Sequence, residues 1–316
     1  MNARVLVTGA SGFVGQHLTA TLKALDRDVR AAVRTEASGL MCESVIVGDL
    51  NAVTDWRSAL RSIEVVVHLA ARVHVMHDTA GDPLAAFRKT NVEGTLHLAS
   101  QAAAAGVKRF VFLSSVKVNG ESTKPGQGFT ETDVPKPEDA YGLSKSEAEV
   151  GLIKLGLETG MQIVIIRPPL VYGPNVKANF AALLRTVQRG WPLPLGAVHN
   201  QRSLVALENL VDFIVTCMDH PLAANQTFLV SDGHDLSITE LIQEIARAAG
   251  VTARLIPVPT WTLRAGAAVL GKTRAIQRLC GNLQVDISKA NKLLGWAPPI
   301  SVHEGLLRTV KRLVNT

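Results

Sequence analysis

The sequence predicts an α/β protein, a doubly wound parallel sheet with a smaller, discontinuous C-terminal lobe. Two observations carry that prediction. Up to about residue 167, short apolar runs rich in β-branched residues alternate with stretches whose apolar positions recur at helical spacing. Right-handed crossovers turn such an alternation into a parallel sheet covered on both faces. Past Arg167-Pro168-Pro169 the chain changes character, with proline clusters, longer loops and a final helix.

The elements follow in order. Arg4-Val5-Leu6-Val7-Thr8 reads as the first strand and Phe13 to Leu25 as the first helix, with Gly9, Gly12 and Gly15 of Thr8-Gly9-Ala10-Ser11-Gly12-Phe13-Val14-Gly15 around the turn between them. Glycine there permits a tight bend and lets backbone N–H groups at a helix N-terminus approach a pyrophosphate. The spacing is GxxGxxG, one residue wider at the front than GxGxxG; a plain turn is the competing reading, and the strand-to-helix position favours the dinucleotide. Ala31-Ala32-Val33, Val45-Ile46-Val47, Val65-Val66-Val67, Phe110-Val111-Phe112 and Ile163-Val164-Ile165-Ile166 are the further buried strands. Residues 121–139, with Pro125, Gly126, Gly128, Pro135 and Pro137, form a loop beside the site. The expected division is a dinucleotide-binding domain over 1–168, to which about 200–230 returns through a helix from Glu208 to Met218, and a lobe over 169–199 and 231–316.

Composition bounds the function. With 316 residues and 47% hydrophobic content the chain can bury one large core and a smaller one. Cys42, Cys217 and Cys280 show neither metal spacing nor an even disulfide set, so they read as reduced thiols of a cytoplasmic protein without a metal. No apolar run approaches 18 residues, which argues against an integral membrane segment. The net charge of +6 includes Lys272, Arg274 and Arg278 close together, but aromatic content is only 4%, so a solvated surface is favoured over a nucleic-acid partner.

The chemistry is signalled by Tyr141-Gly142-Leu143-Ser144-Lys145. The chain has only two tyrosines, and Tyr172 has Val176 where Tyr141 has Lys145, four residues on and on the same helical face. A free phenol titrates at about 10, so proton transfer near neutrality asks for a depression of about three units, roughly 4 kcal/mol. A neighbouring ammonium and a cationic nicotinamide ring are the expected sources. At the end of the second strand Val33 stands where an NAD-preferring site places an acid, and Arg34 follows. A guanidinium fork suits a 2′-phosphate, so NADP(H) is preferred and NAD(H) possible, the alternative for Arg34 being a solvent-facing strand end.

Further motifs stand in a fixed order: Gly48-Asp49-Leu50, His68-Leu69-Ala70-Ala71, Asn91-Val92-Glu93-Gly94-Thr95 and Phe112-Leu113-Ser114-Ser115. With them the chain resembles, over essentially its whole length, the extended short-chain dehydrogenases/reductases of the nucleotide-sugar epimerase, dehydratase and ketoreductase group. That resemblance implies a Rossmann-type sheet and a substrate-binding lobe. It places Gly9, Ser11, Gly12, Phe13, Val14, Gly15, Arg34, Leu69, Ala70, Ala71, Ser114 and Pro168 around the cofactor, with Asp49 and Leu50 at the adenine. It also implies that Asn91 kinks the central helix and holds a water behind the site, that Ser115, Tyr141 and Lys145 are catalytic, and that Lys145 bonds the nicotinamide ribose. A homodimer through helices over 82–105 and 140–157 is implied as well.

The resemblance also narrows the reaction. Relatives that dehydrate hexoses carry Asp-Glu after the catalytic Ser or Thr; here Val116-Lys117 follows Ser115, so dehydration is set aside. The leading expectation is NADPH-dependent reduction of a UDP-2-acetamido-2,6-dideoxy-4-keto-hexose to UDP-N-acetylquinovosamine or UDP-N-acetylfucosamine. The alternative is a 4-epimerase of a UDP-sugar or polyprenyl-linked sugar. A third possibility is a non-catalytic redox sensor, a class that commonly loses the Tyr/Lys pair retained here. Expected substrate residues are Lys117, Asn179, Phe180, Arg202 and Arg278, with Arg274 the rival of Arg278 and Lys117 more readily a packed side chain than a catalyst. Leu170 stands where some epimerases carry asparagine, and His74 and His77 are candidates for the cleft wall or ordinary loop residues.

Overall fold

The structure, a computed structural model, describes residues 3–37, 39–73, 82–176 and 178–314. Nine strands are present among them: β1 (Val5–Thr8), β2 (Val29–Val33), β3 (Glu43–Ile46), β4 (Val65–His68), β5 (Arg109–Leu113), β6 (Gln162–Arg167), β7 (Leu170–Tyr172), β8 (Leu204–Ala206) and β9 (Gln226–Leu229). The helices of the first half are α1 (Phe13–Ala24), α2 (Arg57–Leu60), α3 (Pro83–Phe87), α4 (Thr95–Ala104) and α5 (Ala140–Thr159). Those of the second are α6 (Ala178–Gln188), α7 (Leu207–Asp219), α8 (Ile238–Ala249), α9 (Thr260–Val269), α10 (Thr273–Cys280), α11 (Ser288–Leu294) and α12 (Val302–Val314).

Seven strands form one sheet in the order β3-β2-β1-β4-β5-β6-β9, every pair parallel. The chain reverses its direction of travel across the sheet between β1 and β4, and ligands of doubly wound sheets bind in the crevice beyond the strand ends at such a point. Thr8 and His68 are paired there.

Strand periodicity divides the core. Val5, Val7, Val65, Val67 and Val111 face one way and pack with Leu18, Leu22, Phe213 and Trp296, whereas Leu6, Val66, Phe110 and Phe112 face the other and pack with Trp56, Leu98 and Leu152. Each such side chain contributes about 1.5–3 kcal/mol of burial, so the two layers fix the strand ends firmly. α7 lies on the first layer, where Phe213 meets Phe228 of β9 and Trp296 edge-on at 5.6 and 4.7 Å. Buried Arg109 of β5 donates to the carbonyls of Cys217, Met218 and His220 and closes the C-terminal end of α7.

A third apolar cluster, including Tyr172, Leu184, Ile242, Ile245 and Leu306, lies outside the large sheet. The parallel pair β7-β8 belongs to that region. Neither this pair nor β9 was read from the sequence, because three or four residues with polar Gln226 and Thr227 give too short an alternation to detect.

Candidate active site

The glycine turn closes on itself. Gly9 has φ +66, and a Cβ on Gly15 would lie 2.1 Å from the Gly9 carbonyl oxygen, so the turn and the first turn of α1 share one small space. A Cβ on Gly9 would meet the backbone of Ala70 at 2.8 Å, which presses the turn against the end of β4. Gly12 begins α1 with no side chain capping it, and Ser11 and Gly12 are exposed. The first N–H groups of the helix are thus left for an anion, which is what a dinucleotide pyrophosphate supplies. Ala at position 15 should therefore cost about 1–3 kcal/mol through overpacking. A lower melting temperature together with weakened cofactor titration would check this.

Ser115 comes from the chain just after β5, and Tyr141 and Lys145 from α5. Asp139 caps α5 by accepting from the Gly142 N–H at 2.7 Å, and Tyr141 and Lys145 follow one turn apart. Ser115 opens a single 3₁₀ turn, Val116–Val118, and its hydroxyl accepts from the Lys117 N–H at 3.2 Å. Gly142 lets the two elements touch, because a Cβ there would sit 2.8 Å from the Lys117 carbonyl. The Lys117 ammonium holds the Asp139 carboxylate across the same junction.

Lys145 is buried, with Nζ donating to the Leu113 carbonyl at 2.8 Å and lying 4.3 Å from the centre of the Phe112 ring. Burial pushes its pKa down to about 7, against the opposing pull of Glu149. The Tyr141 ring meets Phe87 edge-on at 6.0 Å. Its phenol is pushed above the ordinary value, by burial first and by the Asp139 carboxylate second. This corrects the expected depression by Lys145: that ammonium is turned to a carbonyl and is itself disfavoured by burial. The remaining source is the cationic ring of an oxidised nicotinamide.

Behind the pair lies a buried polar frame. His68 is held between the Thr8 and Thr95 hydroxyls at 2.7 and 2.9 Å, and burial pushes its pKa down to about 3, so it is neutral near pH 7. Asn91 accepts from the Arg72 N–H and donates to the Arg72 carbonyl and the Ser144 hydroxyl, joining the chain after β4 to α5. The segment Arg88–Gly94 around it is π-helical, the distortion expected at that asparagine. Glu149 and Arg167 form a buried ion pair at 2.5 Å; Arg167 also donates to Asn119, and the Ser114 hydroxyl donates to Glu149. Ser114 was expected at the cofactor, but its side chain points into this frame because neighbouring strand residues face opposite ways.

At the adenosine end Arg34 and Asp49 are 3.9 Å apart and 76% and 79% exposed, so a guanidinium and a carboxylate are both open to a ligand. Leu50 is partly buried against Gly94, and Phe13, Val14, Leu69, Ala70 and Ala71 are half-buried at the crevice, while Pro168 is buried.

The expected substrate residues are less uniform. Phe180 is in the core of the outer cluster, stacked on Tyr172 at 5.7 Å, because α6 turns Phe180, Leu184 and Val187 inward; this corrects its assignment to the cleft. Arg202 donates to the carbonyls of Arg278 and Gly281, and burial lowers its pKa. The Arg278 fork is engaged by Glu121 at 2.7 and 2.8 Å, and Lys117 also reaches Glu121 at 3.2 Å. Burial alone would raise the Glu121 carboxyl, but Arg278 and Lys117 hold it below its usual value. The side chains of Asn179 and Arg274, and His74 and His77 altogether, lie outside the described residues.

Phe87, Glu121, Asp139, Glu149 and Arg167 were not anticipated in these positions. Asp139 had a signal, an acid just before a helical run, and Glu149 another, one turn beyond Lys145 on the same face. Among the described residues no cluster is placed to hold a metal and no helix is long and apolar enough to cross a membrane.

A doubly wound sheet with a glycine turn at its switch point and a Tyr/Lys pair beside it defines a nicotinamide-dinucleotide-dependent α/β enzyme. The comparisons specify it further. The profile of the NAD dependent epimerase/dehydratase family matches residues 5–231, and the chain belongs to that family. It is 50% identical over 317 residues to the UDP-glucose 4-epimerase of Vibrio cholerae, covering 98% of this chain and 95% of the relative. It is 28% identical to the N-acetyl-alpha-D-glucosaminyl-diphospho-ditrans,octacis-undecaprenol 4-epimerase of Escherichia coli O157:H7, covering 98% and 95%. Among solved structures, the UDP-glucose 4-epimerase of Thermotoga maritima with UDP-glucose superposes with a TM-score of 0.78 at 25% identity, covering 99% of both chains.

Proposed function

We propose that this chain is a UDP-hexose 4-epimerase that uses a nicotinamide dinucleotide. The observation that carries the reading is end-to-end identity of 50% with a UDP-glucose 4-epimerase, in a chain that has Ser115, Tyr141 and Lys145 around one junction. When bound, the dinucleotide takes up and returns the C4 hydride. The chain's own groups handle the proton and the position. Ser115 holds the C4 oxygen, Tyr141 removes its proton and gives it back, and Lys145 bonds the ribose. Gly9, Gly12 and Gly15 seat the pyrophosphate. Residues 169–199 and 231–316 form the substrate lobe, where Asn179 and Arg278 reach the nucleotide diphosphate together with Arg202 from the stretch between the two parts.

A second reading, NADPH-dependent reduction of a 4-keto sugar nucleotide, is favoured by one feature. Val33 replaces the usual acid at the end of β2 and Arg34 is exposed beside it, which suits a 2′-phosphate and a cofactor that exchanges. A homodimer is supported by Val150, Ile153 and Leu157, apolar and exposed on one face of α5.

One assay separates the readings. Purified enzyme with UDP-glucose or its N-acetylated analogue should form the C4 isomer, seen by NMR, with no lasting change in nicotinamide absorbance. Stoichiometric loss of NADPH absorbance with a 4-keto sugar nucleotide, and no isomer formed from UDP-hexoses, would transfer the assignment to the reductase.

A further inference from the structure

The outer lobe carries a surface that the proposed chemistry does not use. We propose that the outward face of α9, with the exposed turn at Trp191 on the chain paired to the segment before it, docks onto an anionic lipid bilayer. The inference depends on neither reading of the sugar chemistry.

α9 is amphipathic in an unusual sense, because both of its faces are apolar. Leu263 packs on the outer cluster and Ala267, one turn on, is buried, whereas Trp261, Ala265, Ala268 and Val269 share the opposite face and are exposed. Trp261 is 70% exposed, Val269 88%, and Leu270, which ends the helix, 71%. A stretch that length places Trp261 and Leu270 about 14 Å apart. The surface continues sideways through backbone pairing: Leu193 N–H donates to the Arg254 carbonyl and Ile256 N–H to the Leu193 carbonyl, both at 2.8 Å. Trp191 and Ile256, 59% and 49% exposed, lie on the two chains of this parallel pairing, from which Ile256 leads within four residues into α9. So much exposed apolar area in one region calls for a partner.

Charge selects the partner. Residues 178–207 and 245–285 contain no aspartate or glutamate, yet they carry Arg185, Arg189, Arg202, Arg247, Arg254, Arg264, Lys272, Arg274 and Arg278. Arg278 and Arg247 are engaged by Glu121 and Glu244. Arg189, Arg254, Arg264 and Lys272 are exposed and, among the described residues, stand in no ion pair; Arg264 lies on the flank of α9 beside Trp261, and Lys272 just past the end of the helix. Indole and aliphatic side chains rimmed by unmatched cations are complementary to a headgroup layer with negative charge over hydrocarbon. α10 continues directly from α9 and delivers Arg278 to the Glu121 cluster, so a docked lobe holds the cleft rim about one short helix from the lipid.

The chain also contains its own reporter. Of its four tryptophans, Trp56 and Trp296 are buried, and Trp191 and Trp261 lie in the surface. The full chain should float with vesicles of equal parts phosphatidylglycerol and phosphatidylcholine, with a blue shift of tryptophan emission, and should be released at about 0.5 M salt, where screening is nearly complete. A Trp261→Ala, Leu270→Ser double substitution should raise the lipid concentration for half-binding by about tenfold or more, while turnover of soluble UDP-hexose stays at the parent level. Arg264→Gln with Lys272→Gln should weaken binding to anionic vesicles and flatten its salt dependence. Absence of binding to anionic vesicles, equal binding to phosphatidylcholine alone, or parent-like binding by the apolar double variant would overturn the proposal. A shift in sedimentation from dimer to monomer in that variant would also overturn it, assigning the surface to a second copy of the chain.

Discussion

Tyr141→Phe should lower kcat by about three orders of magnitude and leave cofactor affinity within a few-fold of the parent. Removing a positioned proton-transfer group costs typically 10² to 10⁴ in rate. The ring itself is retained, with its edge contact to Phe87, so folding and the shape of the crevice should persist. Single-turnover kinetics and a cofactor titration check the two halves of this expectation; undiminished turnover would remove the phenol from the mechanism. The parent's pH profile bears on the same pair. Lys145 is charged below about 7 and neutral above it, and its bond to the nicotinamide ribose is stronger from the charged form. kcat/KM should therefore fall as pH rises through about 7 in the free enzyme.

The second large effect is on stability. Glu149→Ala leaves the Arg167 guanidinium buried without its carboxylate and strips the Ser114 hydroxyl of its acceptor. Breaking a buried pair from one side costs about 3–5 kcal/mol. At about 2 °C per kcal/mol for a chain this large, the melting temperature should drop by roughly 6–10 °C. A purely structural role would stop there. Glu149 also raises the Lys145 pKa, so in its absence Lys145 should lose its proton more easily, and the falling limb of the pH profile should move below pH 7. A melting curve tests the first part, and a kcat/KM profile on the folded fraction tests the second.

What could be read from the sequence was what neighbours in the chain determine. Gly9, Gly12 and Gly15, and Tyr141 with Lys145, act at spacings of three and four residues, so their placement followed from a turn and a helical face. Short continuous apolar runs located the inner strands for the same reason. Phe180 was misread because an aromatic residue early in a helix looks the same whether that turn faces a cleft or a core, and only packing against Tyr172 decides it. Ser114 and Ser115 are adjacent with opposite fates, and telling them apart required knowing which face of β5 meets α5. Glu149 with Arg167, 18 residues apart, and Glu121 with Arg278, 157 apart, are partners made by the fold alone. The pKa of Tyr141 was misjudged on similar grounds: chain spacing shows an ammonium nearby, but not where that ammonium points.

The contact at Gly142 has a consequence for how such a protein diversifies. The proposed proton-transfer pair, Tyr141 and Lys145, hangs from one rod pinned to the sheet, whereas the cations expected to grip the nucleotide belong to separate stretches farther along the chain. A change of sugar preference can then accumulate in the lobe residue by residue without retuning the acid–base pair. Even one extra methyl at position 142 would instead push against the main chain beside Ser115, and so disturb the chemistry for all substrates at once.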